Sequence, residues 1–323
     1  MTIRDLGLPV RMPSPDPAQL PGKVLIWEVG ARDGLQNERA PVDTGVKLQF
    51  LDRLADAGLT VLEATSFVHP RWVPQLADAS ELMSRLERRD GAAYPVLVPN
   101  ERGLDRAIEA GVQDIAIFAS ASETFAQRNL NRSFDGQFAM FEPVVARARK
   151  AGMRVRGYLS MCFGDPWEGP VDAEQVVSAA KRLLDLGCFQ ISLGDTIGVA
   201  TAGQVEALLA AFCQTGVNVG DLAVHFHDTY GQALANTLAA LRRGISTVDS
   251  SAGGLGGCPF AKSATGNLAT EDLVWLLDGL GIEHGIDLSK LAATSAWMAN
   301  VLGRPSPSRV VTALTGDRLA NLA

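Results

Sequence analysis

Residues 189–229 read FQISLGDTIGVATAGQVEALLAAFCQTGVNVGDLAVHFHDT. An apolar run of strand length opens the segment (189–193), an amphipathic stretch follows (202–214), and a second apolar run closes it (222–226). The hydrophobic period switches from that of a strand to that of a helix and back. Strand, helix and strand on short connections predict two parallel strands joined by a right-handed crossover. Both apolar runs end in polar groups, Ser192, Asp195 and Thr196 on the first and His225 and His227 on the second.

The same unit repeats outward in both directions. Strands are predicted at 24–29, 60–63, 93–98, 114–118, 155–160 and 247–250, in addition to the two above. Helices are predicted at 45–57, 73–88, 101–110, 136–151, 173–186, 232–242 and 271–280, several of them stopped by glycine (Gly58, Gly111, Gly187, Gly244). Pro143 is read as a break or first turn of its helix. Eight strand–helix units in order predict an α/β chain closed into a (β/α)8 TIM barrel. An open doubly wound sheet is disfavoured because no Gly-x-Gly-x-x-Gly follows the first strand. The expected division is a loosely ordered, proline-rich arm at 1–22, the barrel at 23–285 and a helical extension at 286–323. That extension holds one helix near 291–301 and a Pro/Ser-rich surface or lid segment.

Composition agrees with a globular chain. Of 323 residues, 47% are hydrophobic and 20% charged, too apolar for disorder. The net charge of −7 argues against a nucleic-acid binder that relies on a basic surface. No apolar run is long enough to span a membrane. The four cysteines (Cys162, Cys188, Cys213, Cys258) make no C-x-x-C pair, which excludes a zinc ribbon and a thioredoxin motif. Reduced thiols and a cytoplasmic location are expected, because the arm lacks the pattern of a secretory or mitochondrial leader.

In a barrel, catalytic groups belong at the carboxyl ends of the strands. Strand one ends in Glu28-Val29-Gly30-Ala31-Arg32-Asp33-Gly34-Leu35-Gln36, with adjacent opposite charges just past the strand. Strand two ends in Glu63, with Ser66 beyond it; an ionised carboxylate there needs a partner, for which Arg32 is the candidate. His225 and His227 are i and i+2 on strand seven and project together. Paired imidazoles at a strand end suit a divalent metal. After strand eight comes Gly253-Gly254-Leu255-Gly256-Gly257-Cys258, a glycine-rich loop with a thiol directly after it, then Asn267 and Glu271. Asp33, His225, His227 and Asn267 form a two-nitrogen, two-oxygen set on strands one, seven and eight, which become neighbours when the barrel closes. Four such ligands leave two octahedral positions for a chelating substrate.

Five stretches carry a resemblance: EVGARDGLQN (28–37), TSFVHPRWVPQLA (65–77), SLGDTIGV (192–199), HFHDTYGQALANT (225–237) and DSSAGGLGGCPFAKSATGNLATEDL (249–273). In these the chain resembles the 3-hydroxy-3-methylglutaryl-CoA lyase family. His-x-His and Arg-Asp-Gly are shared with a wider group that includes isopropylmalate and homocitrate synthases, whereas Gly-Leu-Gly-Gly-Cys-Pro is specific to the lyase branch. The resemblance implies Mg²⁺- or Mn²⁺-dependent cleavage of (S)-3-hydroxy-3-methylglutaryl-CoA to acetyl-CoA and acetoacetate, as in leucine degradation, by a homodimer. It implies the metal ligands Asp33, His225, His227 and Asn267, a catalytic Arg32 held by Glu63, and a supporting Asp195. It also implies that Cys258 is the catalytic acid/base. Ser66, Ser192, Thr196, Gly256 and Gly257 are expected against the acyl-CoA substrate, with Gln36 and Glu271 supporting. Asp33 and His225 both stay open as the base for the C3 hydroxyl.

Two departures stand out: His69 where relatives often have a small residue, and Phe226 where some have Cys. Nothing after Cys258 is a cysteine, so the intersubunit disulfide of some relatives is not expected. A lyase for a bulkier 3-hydroxy-3-alkylglutaryl-CoA, and a transferase condensing acetyl-CoA with a 2-oxo acid, are the competing readings.

Overall fold

A computed structural model describes residues 20–38, 40–257 and 266–319. The strands are β1 (Leu25–Glu28), β2 (Thr65–Ser66), β3 (Val96–Leu97), β4 (Asp114–Ser120), β5 (Arg154–Ser160), β6 (Gln190–Asp195), β7 (Leu222–Phe226) and β8 (Thr247–Ser250). All pair in parallel, in the order β1-β8-β7-β6-β5-β4-β3-β2. The sheet closes where Glu28 of β1 pairs with Leu62, its N–H donating to the Val61 carbonyl at 3.0 Å and its carbonyl accepting from Glu63 at 2.8 Å. Residues 60–63, expected as the second strand, thus act as its entry: Val61 bridges Ala93 and Leu62 bridges Glu28, while the regular ladder falls at Thr65–Ser66.

The helices between strands lie outside the sheet: α1 (Thr44–Asp56), α2 (Ala79–Arg85), α3 (Glu101–Glu109), α4 (Glu123–Leu130), α5 (Phe134–Lys150), α6 (Ala173–Leu186), α7 (Ala202–Gln214) and α8 (Ala233–Arg242). Asp43, Asn100, Ser133 and Asp172 each accept a backbone N–H of the turn that follows, which starts α1, α3, α5 and α6 at those residues. The principal core fills the space between strands and helices with Val, Ile, Leu, Phe and Ala side chains, among them Leu51, Leu54, Phe141, Leu183 and Phe212. Burial on that scale, at about 25 cal/mol per Å² of apolar surface, is what holds a parallel sheet covered on its outer face.

Three expectations change. Helix α2 is shorter than 73–88, because Val73-Pro74 opens a separate 3₁₀ turn at Pro74–Leu76. Pro143 lies inside α5 without ending it. The neighbouring Phe141, Val144 and Val145 are buried, and their packing outweighs one missing hydrogen bond. Helix α4 was hidden by its short length and weak apolar pattern.

Beyond β8 come α9 (Thr270–Leu280), α10 (Leu288–Leu302) and α11 (Arg309–Leu319). Helix α10 runs past both ends of the helix expected at 291–301, because Asp287 caps it and Gly303 ends it in a left-handed conformation. It packs on α1: Asp287 donates its N–H to the Ala57 carbonyl at 2.8 Å, and the Arg53 guanidinium lies 4.7 Å from the Trp297 ring centre. The stretch expected as tail holds α11, whose start is held by Asp272, which accepts from Ser308 Oγ at 2.7 Å and from the Val310 N–H at 2.9 Å. Among the described residues no helix is long and apolar enough to cross a membrane. Of the arm expected at 1–22, residues 1–19 lie outside the described residues.

Candidate active site

The first strand delivers its charges through a single π-helical turn, Gly30–Gly34. Glycine is needed at its start: a Cβ on Gly30 would sit 2.5 Å from Glu28 Oε1. The turn places Arg32 between two carboxylates. Its Nε donates to Glu63 Oε1 at 2.5 Å, and its Nη1 donates to Asp33 Oδ1 at 2.8 Å. Glu63 is fully buried and also receives the Tyr158 hydroxyl and, at 3.3 Å, Trp27 Nε1. The expected Arg32–Glu63 contact is therefore present, with two further donors holding the carboxylate. Burial opposes charge on Arg32, yet Glu63, Asp33 and Tyr158 together hold its guanidinium more firmly protonated than usual.

Asp33, His225 and His227 converge, with one ligand atom of each within 4.8 Å of the others. Asn267 bridges His227 through the backbone and donates Nδ2 to Asp33 Oδ2 at 2.8 Å and to the Leu255 carbonyl at 3.0 Å. Its Oδ1 is buried without a hydrogen-bond partner. A buried amide oxygen left unpaired beside a carboxylate and two imidazoles fits a divalent cation, which supplies the missing contact. Burial raises the Asp33 carboxyl, but Arg32, His225, His227 and Asn267 outweigh it and hold the group at about 2. Gly256 closes over this set at φ +123°, where a Cβ would meet Asn267 Nδ2 at 2.4 Å, so only glycine fits. The Gly257 carbonyl accepts from Asn37 Nδ2 at 2.7 Å, tying the start of the glycine-rich loop to the turn after β1. Cys258, the expected acid/base, lies outside the described residues.

The remaining expected residues hold the surrounding shell. Asp195 is buried and accepts the N–H groups of Val199 (2.9 Å) and Ala200 (3.0 Å); burial lifts its carboxyl to about 6 against those bonds and His225. Thr196 Oγ1 accepts the Met161 N–H at 3.0 Å, fixing a residue with φ +61°. Ser66 Oγ donates to the Leu97 carbonyl at 3.3 Å, and Gln36 follows the π turn half-buried. Ser192 donates to Asp249 Oδ2 at 2.7 Å, which places its hydroxyl in the barrel interior. Glu271 Oε2 accepts the Gly253 N–H at 2.8 Å and its Oε1 accepts Ser295 Oγ, so it grips the root of the glycine-rich loop from below. Glu28 does the same one residue earlier, accepting the Ala252 N–H at 2.8 Å and Thr270 Oγ1 at 2.6 Å.

Burial raises Glu28 to about 7 and Glu271 to about 8, against the hydrogen bonds they accept. Both stay protonated through mildly acidic pH when folded but ionise near 4.5 when unfolded. The stability they lend is therefore complete below 4.5 and is lost as pH rises through 7 to 8. A Glu271→Gln variant, neutral at every pH, is expected to show a flatter fall in melting temperature between about pH 6 and about pH 9. Calorimetry of both proteins checks this; parallel curves would clear Glu271 of the effect.

Trp27, Glu28, Arg156, Tyr158 and Asp249 were not among the expected site residues. The signal for Arg156 and Tyr158 was available, since a charge and a phenol at i and i+2 of a strand share one face. For Asp249 it was a carboxylate inside a short apolar strand. Neither names a partner across the barrel.

With this geometry in place, comparison with known proteins is decisive. The HMGL-like family model matches residues 23–298. The chain belongs to the HMGL-like family. A curated relative, the mitochondrial hydroxymethylglutaryl-CoA lyase of Rattus norvegicus, is 51% identical over 294 residues, spanning 91% of this chain and 90% of its own. The crystal structure of hydroxymethylglutaryl-CoA lyase from Pseudomonas aeruginosa superposes with a TM-score of 0.90 at 47% identity, covering 93% of this chain and 99% of that one. An HMG-CoA lyase from Acinetobacter baumannii, solved with coenzyme A and 3-methylmalate, gives a TM-score of 0.86 at 35% identity, covering 90% and 95%.

Proposed function

We propose that this chain cleaves (S)-3-hydroxy-3-methylglutaryl-CoA to acetyl-CoA and acetoacetate, a carbon–carbon lyase reaction. One observation carries the reading: a buried arginine clamped by Glu63 stands directly beside the convergent Asp33, His225 and His227, in a chain half identical to lyases of that name. The (β/α)8 barrel at 23–285 is the proposed catalytic unit, with the arm at 1–22 and the extension at 286–323 attached to it.

Breaking the C2–C3 bond needs the C3 hydroxyl to lose its proton and the C2 carbon to leave as a thioester enolate. A divalent cation, Mg²⁺ or Mn²⁺, held by Asp33, His225, His227 and Asn267, supplies Lewis acidity that makes the hydroxyl easier to deprotonate. Asp33 and His225 are the two bases at the lip for that proton. Arg32 offers its charge to the enolate oxygen, held in place by Glu63 so that little reorganisation is needed as the oxygen gains charge. Cys258 is the proposed donor that protonates the enolate carbon to give acetyl-CoA. Asp195 holds the loop after β6, and Gly256 and Gly257 bring the glycine-rich segment to the metal ligands. Ser66, Ser192 and Thr196 remain proposed neighbours of the acyl-CoA. Coenzyme A in the complex of the Acinetobacter relative supports a thioester substrate.

A homodimer and a cytoplasmic location are proposed with this reading. The unpaired state of Cys162, Cys188 and Cys213 is consistent with a reducing compartment. Incubation with hydroxymethylglutaryl-CoA and Mg²⁺ is expected to release acetoacetate and acetyl-CoA in equal amounts, and a chelator to stop the release. Absence of acetoacetate, or condensation of acetyl-CoA with a 2-oxo acid under the same conditions, would overturn the assignment. A longer-alkyl analogue turned over faster than the methyl substrate would move it to the bulkier class.

A further inference from the structure

The barrel interior beneath the metal ligands holds an ion pair to which the reaction above gives no part. Arg156 on β5 and Asp249 on β8 are both fully buried and meet across the barrel. The pair is bidentate: Nη2 donates to Oδ1 at 2.7 Å and Nη1 to Oδ2 at 3.1 Å. Arg156 has no slack, because its Nε donates to Gln190 Oε1 at 3.2 Å and its guanidinium lies 4.2 Å from the Trp27 ring centre. Gln190 is fixed in turn by donating Nε2 to Thr247 Oγ1 at 3.1 Å.

Asp249 is the register partner of His225 on the neighbouring strand. His225 Nδ1 lies 3.3 Å from Asp249 Oδ2, slightly off the line of a good hydrogen bond, and this buried atom has no other partner among the described residues. The other groups on Asp249 are donors: the two Arg156 nitrogens and Ser192 Oγ at 2.7 Å. A carboxylate has about four acceptor positions. Three are taken, and the free one faces the imidazole. A carboxylate so placed has only acceptance to offer, so the nitrogen facing it must carry the hydrogen. The other nitrogen then keeps its lone pair.

We propose that Asp249, anchored by Arg156, is a positioning residue that fixes the His225 proton on Nδ1 and so presents Nε2 toward Asp33 and His227 as a metal ligand. The inference rests on the metal reading given above. Arg156 keeps Asp249 from swinging up to become a ligand itself, since both its oxygens are held from below. A carboxylate behind a ligating imidazole is a general way of setting ring orientation and ligand strength. Here it is delivered by the β7–β8 register.

The test uses the full chain and Mn²⁺ titration followed by electron paramagnetic resonance. Asp249→Asn is expected to weaken Mn²⁺ binding by about tenfold to a hundredfold, with Asp33→Asn as the ligand-loss control. Because Asp249→Asn strands a buried arginine, a second variant, Arg156→Met with Asp249→Asn, removes both charges. It is expected to fold and to show the same weakening. Long-range ¹H–¹⁵N spectra of the Mg²⁺-loaded wild type are expected to place the His225 proton on Nδ1. Mn²⁺ affinity within about twofold of wild type in either folded variant, or the proton on Nε2, overturns the proposal. A pair that merely plugs the barrel would change the melting temperature and leave Mn²⁺ affinity and tautomer alone. Failure of the wild type to bind Mn²⁺ would remove the metal reading, and this inference with it, which is a different result from a normal titration in the variants.

Discussion

Arg32→Gln is expected to lower kcat by about three orders of magnitude with a much smaller change in KM. Arg32 is the one buried cation beside the proposed metal ligands, and Glu63 and Asp33 hold it in a fixed direction. A donor aimed at developing negative charge is worth about a hundredfold to a thousandfold in rate, and a charged donor is stronger than a neutral one. The substitution also leaves Glu63 facing only Tyr158 and Trp27, in a site with no access to water. Paired substitution, Arg32→Gln with Glu63→Gln, separates the two effects. It is expected to recover the melting temperature lost by the single variant and none of the rate. Steady-state kinetics on hydroxymethylglutaryl-CoA decide it; a kcat within about tenfold of wild type in the double variant would show that Arg32 does not meet the enolate.

Cys258→Ala is expected to cost about a hundredfold to ten-thousandfold in kcat and to leave Mn²⁺ affinity at the wild-type value. Removing the acid that protonates the enolate carbon blocks the last step, while the ligand set stays whole. The same thiol run backwards takes a proton from acetyl-CoA, so deuterium exchange from D₂O into the acetyl methyl is expected in wild type and not in the variant. Turnover or exchange at the wild-type rate would remove the thiol from the reaction. The other thiols offer little competition. Burial pushes the Cys188 thiol up to about 12 and the Cys162 thiol higher still, so neither supplies thiolate near neutral pH.

Much of this was legible in the chain alone. The alternation of strand and helix periods around residues 189–229 predicted parallel strands, and eight repeats predicted closure; the Glu28–Leu62 pairing meets that expectation. His225 and His227 share a face because i and i+2 must on any strand. Arg32 and Glu63 were paired on the ground that a carboxylate at a strand end needs a cation, and the 2.5 Å contact is present. The misses are of one kind. Residues 60–63 look like the second strand because they are apolar, yet hydrogen bonding shifts the ladder to Thr65–Ser66. Helix α11 looks like tail because its start depends on Asp272, far away in sequence.

Fold class and the identity of the reactive groups were thus set locally, by hydrophobic period and by functional groups placed at strand ends, both of which are written along the chain. Partnership across the barrel was not. That Asp249 stands behind His225, that Arg156 reaches it from the far side, that Tyr158 and Trp27 share Glu63, and that Asn267 turns an unpaired oxygen into the site all depend on strand register and closure. The reason is physical. A buried charge or amide is settled by whichever donor or acceptor the closed sheet brings within about 3 Å, and many sequence positions compete for that place until the backbone chooses among them.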